Sequence, residues 1–270
     1  NLYSSLSINN RMRVQEGFRR VRVNDSYECG YCYNYNFDSE GDRFGNSINI
    51  GGDYYINKTL NLNIDFTYKN HYKTKTNNQY YLHDGTPEFK TPYEENSLES
   101  EDEGNYHFDT YLELVKSYDN PDKEIFFSIT HDIGTDSEYE SIINVDSTFI
   151  DELGSDTEID FNYKLPLDEK SKFEFGYDGR FTKSEETMIL GLGEKDENLV
   201  DWIWNFDAIN DFNYNRSING IFAEYQYQLN EKFSIKPSFR VEFVDKEINF
   251  NSTTTDSSGI SSSTYVQYLS

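Results

Sequence analysis

Several things are scarce in this chain of 270 residues, and each scarcity removes a class of protein. No run of about 18 apolar residues occurs, so no transmembrane helix can be drawn. Basic residues are few: 24 Lys plus Arg face 49 Asp plus Glu, for a formal charge of −25, which argues against a nucleic-acid partner. There are 2 cysteines, Cys29 and Cys32, in Cys29-Gly-Tyr-Cys32. They allow one local disulfide or two free thiols. A zinc site would need a second pair of ligands, and no His stands at a matching spacing. The 4 histidines, His71, His83, His107 and His131, form no H-x-x-x-H or H-E-x-x-H. No G-x-S-x-G elbow or phosphate-binding loop is present, and Gly191-Leu-Gly193 is a lone G-x-G. Acids are so plentiful that some pair will always stand at a glycosidase separation, and sequence cannot choose one. The expectation is a protein that is no enzyme, with no catalytic residues, cofactor or resident metal. The acid turn Asp38-Ser-Glu40-Gly-Asp42 faintly suggests a calcium loop but lacks the ligand spacing of one.

An initiator Met and a signal sequence are also missing: the chain opens Asn1-Leu2-Tyr3-Ser4 and closes in strand-like sequence, Thr264 to Ser270. The reading is a portion, residues 1–270, of a single larger domain.

What is abundant is aromatic. Tyr (23) and Phe (20) make up most of the 17% aromatic content, and both favour strands. Mean hydropathy is low, −0.82, which speaks only against helical membrane proteins. A strand that shows lipid at every second residue keeps a polar average.

Period-2 alternation is the main signal. In Phe233–Phe243 every odd position is apolar or Pro, and Ser234, Lys236, Ser238, Arg240 and Glu242 are polar. Ile221, Ala223, Tyr225, Tyr227 and Leu229 alternate with Phe222, Glu224, Gln226 and Gln228, and only Phe222 breaks the polar face. The turn Asn230-Glu231-Lys232 joins these two runs into a hairpin. Similar hairpins are predicted around Ile56–Thr59, Asp119–Lys123 and Pro166–Ser171, with a further strand over Tyr31–Phe37 and no strand assigned before it. The connections between hairpins, roughly 73–105, 133–157, 184–211 and 245–262, read as long acidic loops. Strict alternation of short and long connections predicts an antiparallel transmembrane β-barrel, seen in part, with short periplasmic turns and long acidic extracellular loops.

The segment Phe212–Leu229, followed by Phe233–Glu242, resembles barrel strands of TonB-dependent receptors. Tyr214, Ala223, Tyr225, Arg240 and Glu242 match a "Tyr … Ala-x-Tyr … Leu-x-x-Gly-x-Arg-x-Glu" run, with Ser238 where that family often has Gly. Asp160–Tyr177 looks like a neighbouring hairpin of the outer membrane β-barrel branch. The resemblance implies a receptor or transporter in the outer membrane of a Gram-negative bacterium, taking up an unidentified nutrient. It implies lipid and lipopolysaccharide as surroundings, and in a full-length parent a plug domain and a TonB-type energy-coupling partner. A passive porin-like barrel or surface binding protein is the alternative, and a soluble all-β carbohydrate-binding or adhesin domain a weaker one. Candidate ligand contacts are Glu224, Gln226, Arg240 and Glu242 on the polar strand face, and Trp202 and Trp204 in an outer loop.

Overall fold

The computed structural model describes residues 1–22, 32–83, 93–142, 146–194, 203–256 and 261–269. These form one antiparallel sheet with no helix among them. The strands are β1 (Leu2–Arg22), β2 (Cys32–Asn57), β3 (Leu60–His83), β4 (Tyr93–Ser117), β5 (Glu124–Ile142) and β6 (Asp146–Pro166). They continue as β7 (Ser171–Glu194), β8 (Ile203–Asn230), β9 (Phe233–Ile235), β10 (Ser238–Asp256) and β11 (Ser261–Leu269). Each strand pairs with its sequence neighbour, and β9 and β10 both pair with β8. The β9/β10 break falls at Lys236-Pro237, where proline removes a ladder donor; the Pro237 carbonyl still accepts from Tyr225 N at 3.0 Å. β1 and β11 are the two ends of the sheet and do not pair with each other.

The four short turns share one device. Asn57, Asn120, Asp168 and Asn230 each accept, through Oδ1, the backbone N–H two residues on, at 2.9, 3.0, 2.8 and 2.9 Å. Such a side chain mimics a turn of backbone and reverses the chain in few residues. In the third turn Asp168 also accepts from Ser171, and these donors, led by Lys170 N–H, hold its carboxyl below the ordinary carboxylate range. All four turns lie at one end of the sheet.

At the other end, the strands run well beyond the sequence expectation. Residues predicted as loops continue the ladder: 73–83 in β3, 93–105 in β4, 133–142 in β5, 146–157 in β6, 184–194 in β7 and 245–256 in β10. The long acidic loops are therefore corrected to strand extensions, and what remains of the connections lies outside the described residues. Asp38, Glu40 and Asp42 likewise stand within β2, not in a calcium-type loop. The sequence expectation has no strand over β1. Its even positions Leu2, Leu6, Ile8, Met12, Val14 and Phe18 do alternate with polar ones, but Ser4 and Asn10 dilute the row.

The sheet has two unlike faces. Register aligns Leu62, Leu114, Phe127, Phe161, Tyr177, Ile221 and Val241 across seven strands on one face. Along β3 this face reads Leu60, Leu62, Ile64, Phe66 and Tyr68, and along β10 Phe239, Val241 and Phe243. It has no covering layer: Phe239 is 68% exposed, Phe243 62% and Leu6 67%. Ala208 is the buried hydrophobic residue among those described, so the sheet has no interior of its own. The one His on this face, His131, is hydrogen-bonded through Nδ1 across the ladder to Thr157 Oγ1 at 2.9 Å.

Phe222, which breaks the alternation of β8, has a local reason. It pairs with Gly176, and its ring occupies the space a Gly176 side chain would need, with ring carbons 2.5 Å from an added Cβ.

Candidate functional site

The opposite face is mostly polar, with Val115, Phe126, Ile218, Phe222 and Val244 among its apolar exceptions. On β3 it presents Asn61, Asn63, Asp65, Thr67, Lys69, His71, Lys73, Lys75, Asn77 and Gln79 without an apolar interruption. Alternation forces this once the other face is apolar.

Toward the turn end, on β7 to β10, the polar face is held by ion pairs. Lys236 Nζ meets Glu224 at 2.7 Å, Arg240 Nε meets Glu242 at 2.8 Å, and Arg240 Nη2 reaches Asp178 at 3.7 Å. Asp178 also takes Arg180 at 3.5 Å. The Arg240 guanidinium crosses the strand at Gly220, where an added Cβ would lie 2.9 Å from Nη2. Here the structure places Glu224, Arg240 and Glu242 of the sequence-predicted set, with Gln226 in the same row. It adds Asp178, which faces Arg180 on its own strand and Arg240 on β10, and Lys236, which faces Glu224 on β8; strand register, which the sequence does not show, brings both into this cluster. Trp204 belongs to β8, opposite Gly193, and not to a loop. Trp202 and Cys29 lie outside the described residues.

Toward the far end, charge divides by strand. β1 to β3 carry Arg11, Arg13, Arg43, Lys69, His71, Lys73 and Lys75 on the polar face. β4 to β7 carry Glu99, Glu101, Glu103, Asp136, Glu138, Glu152 and Glu186. The two sets meet at the β3–β4 seam. Lys73 Nζ donates to Glu101 and, at 2.9 Å, to Glu103; Lys75 reaches Glu101 at 3.2 Å; Lys69 reaches Asp109 at 2.9 Å. Lys73 lies beyond Tyr72, after which the Tyr72 side of β3 turns to Thr74, Thr76 and Asn78. Glu101 and then Glu103 hold the Lys73 ammonium above the ordinary lysine value, against the opposing effect of burial. Lys73, with Lys75, holds Glu101 below the usual carboxylate range.

A raised lysine stabilises below its unfolded pKa and loses that contribution as pH rises through the folded value. A depressed carboxylate stabilises above its unfolded pKa and loses that contribution as pH falls through the folded value. The seam is therefore complete between about pH 5 and about pH 10. Glu101→Gln should cost about 1 kcal/mol at most near pH 7 and less in acid, once the pH falls through the folded value of Glu101. Urea titration of the wild type and variant at neutral and acid pH checks this; an equal cost at acid pH would contradict it.

Residues 112–268, more than half the chain, match the model of the outer membrane protein beta-barrel family. The chain belongs to that family. The bare apolar face is accordingly the lipid face, and the polar face is the lumenal wall, in the outer membrane of a Gram-negative bacterium. Antiparallel strands, an uncovered apolar band and four short turns at one end are what such a wall requires. No curated protein matches the sequence. Among solved structures, the chain is similar to a FadL homologue from Pseudomonas aeruginosa at 8% identity and a TM-score of 0.27, covering 89% of this chain and 69% of that one. The siderophore receptor PiuA from Acinetobacter baumannii follows at 8% identity and 0.26, covering 90% and 49%. The alcaligin receptor FauA from Bordetella pertussis follows at 7% and 0.22, covering 100% and 61%. The chain thus spans about half to two thirds of these structures, and likenesses this slight carry no argument about its ligand.

Proposed function

We propose that this chain forms part of the wall of an outer-membrane uptake receptor of the TonB-dependent kind, moving a nutrient without chemical change to it. One observation supports this above the others: the lumenal row of β3 is polar at every position from Asn61 to Gln79. The described strands already exceed the roughly eight whose own side chains fill a barrel, and larger barrels leave an aqueous or plugged lumen. A row of this length suits water, a polar plug or both. Glu224, Gln226, Arg240 and Glu242 lie where a plug or a passing solute would touch them. In the whole receptor the partners would be a plug domain and a TonB-type energy coupler, with lipid and lipopolysaccharide outside.

The test is made on the full-length protein in cells and in planar bilayers. The expected result is a closed barrel in bilayers, and nutrient-limited growth that collapses when a protonophore removes the proton-motive force. A steady ion conductance, with uptake indifferent to the protonophore, would assign the chain to a passive pore.

A further inference from the structure

The basic side of the mouth contains an arrangement that folding alone does not favour. Arg11 of β1 stands directly opposite Arg43 of β2, and Arg43 directly opposite Lys73 of β3. Two residues further along the strands, Arg13 and Lys75 flank Gly41 in the same way. Neighbouring strands lie about 4.8 Å apart, and like charges placed opposite one another on a sheet are destabilising. Lys73 and Lys75 are compensated by Glu101 and Glu103. Among the described residues, no carboxylate pairs with Arg11, Arg13 or Arg43. In a chain with 49 acidic residues, three arginines left together in this way are not a consequence of composition.

The same residues line a cleft of about 180 Å³ whose floor is Gly41, where no side chain stands between Arg13 and Lys75. Asp42 touches its rim, but alternation sends Asp42 to the opposite face. The volume is too small for a drug-sized molecule and suits a compact anionic group. Guanidinium forks match the oxygens of phosphate and carboxylate two at a time. The chain's overall negative charge is no obstacle at close range, since charges further than about 8 Å are screened at physiological salt.

We propose that Arg11, Arg13 and Arg43, with Lys73 and Lys75 behind them, form an oxyanion site on the inner wall of the barrel mouth, and that it takes a soluble ligand bearing a multivalent phosphate-type group. The bound anion supplies the counter-charge that the three strands lack. The site rests on the barrel reading, through the lumenal position of these residues, and not on energised transport: binding without uptake would leave it standing.

The test uses full-length protein in nanodiscs made of phosphatidylcholine alone, with inorganic pyrophosphate as the probe. Pyrophosphate should raise the thermal unfolding midpoint, and the effect should weaken at least tenfold in apparent affinity in Arg11→Gln and Arg43→Gln. Lys172→Gln, near the turn end of β7, should bind as the wild type does. Without the probe, Arg43→Gln should unfold at or above the wild-type temperature, because a like-charge contact has gone. A variant that unfolds lower without the probe would mean that a carboxylate elsewhere in the barrel already pairs Arg43, and the proposal would fall. It would fall equally if pyrophosphate bound the arginine variants as tightly as the wild type, or if stabilisation appeared only when lipopolysaccharide was added to the disc.

Discussion

Replacing Phe239 with Arg should cost about 2–4 kcal/mol of folding stability in a bilayer, the penalty for a cation on the lipid face near mid-membrane. Phe239 stands in the apolar row opposite Ala223, 68% exposed, with nothing of the protein above it. Its neighbour Ser238 points to the other face, opposite Glu224, whose carboxylate is the partner of Lys236. Ser238→Arg should therefore change stability by about 0.5 kcal/mol or less, as substitutions on a wet surface do. The contrast between adjacent positions is the informative quantity. A protein interior would penalise Phe239→Arg too, but it would then bury Phe239, which is bare. Urea titration of the folded fraction in lipid vesicles reads both variants. Equal costs at 238 and 239 would contradict the assignment of faces.

The second large effect is steric. Gly176→Val should cost about 3 kcal/mol, the upper end of the range for overpacking. A Cβ at Gly176 would collide with the Phe161 carbonyl oxygen and lie 2.5 Å from the Phe222 ring. The ring can turn away, but the carbonyl belongs to β6 and cannot move without opening the β6–β7 ladder. Adding Phe222→Ala to Gly176→Ala should consequently recover only part of the loss. Full recovery in the double variant, in the same urea titration, would show that the ring alone was limiting.

Phe222 also shows what could be read from the sequence and what could not. The period-2 rule marks it as an exception on β8, while the reason, a glycine on the neighbouring strand, depends on register. Strands within the lipid band were legible because hydrocarbon on one side and water on the other impose alternation: Phe233–Phe243 and the arms around Asn230 are the plain cases. Beyond that band both faces meet water. At Lys73, Thr74, Lys75, Thr76 and Asn77 polar residues follow one another, and the pattern of a strand vanishes although the backbone ladder continues. That is why residues 73–83 and 93–105 read as acidic loop. Of the candidate contacts, Glu224, Arg240 and Glu242 were legible from alternation. Arg11, Arg13 and Arg43 were not, since their proximity comes from the pairing of β1, a strand the sequence did not announce, with β2.

One face of this sheet meets hydrocarbon and the other does not. Single cysteines at positions 238 to 243 of the full-length protein, each carrying a small fluorophore, can be read in vesicles containing brominated lipid. Strong quenching is expected at 239, 241 and 243 and little at 238, 240 and 242. Quenching that is uniform along the strand, or strongest at the even positions, would contradict it.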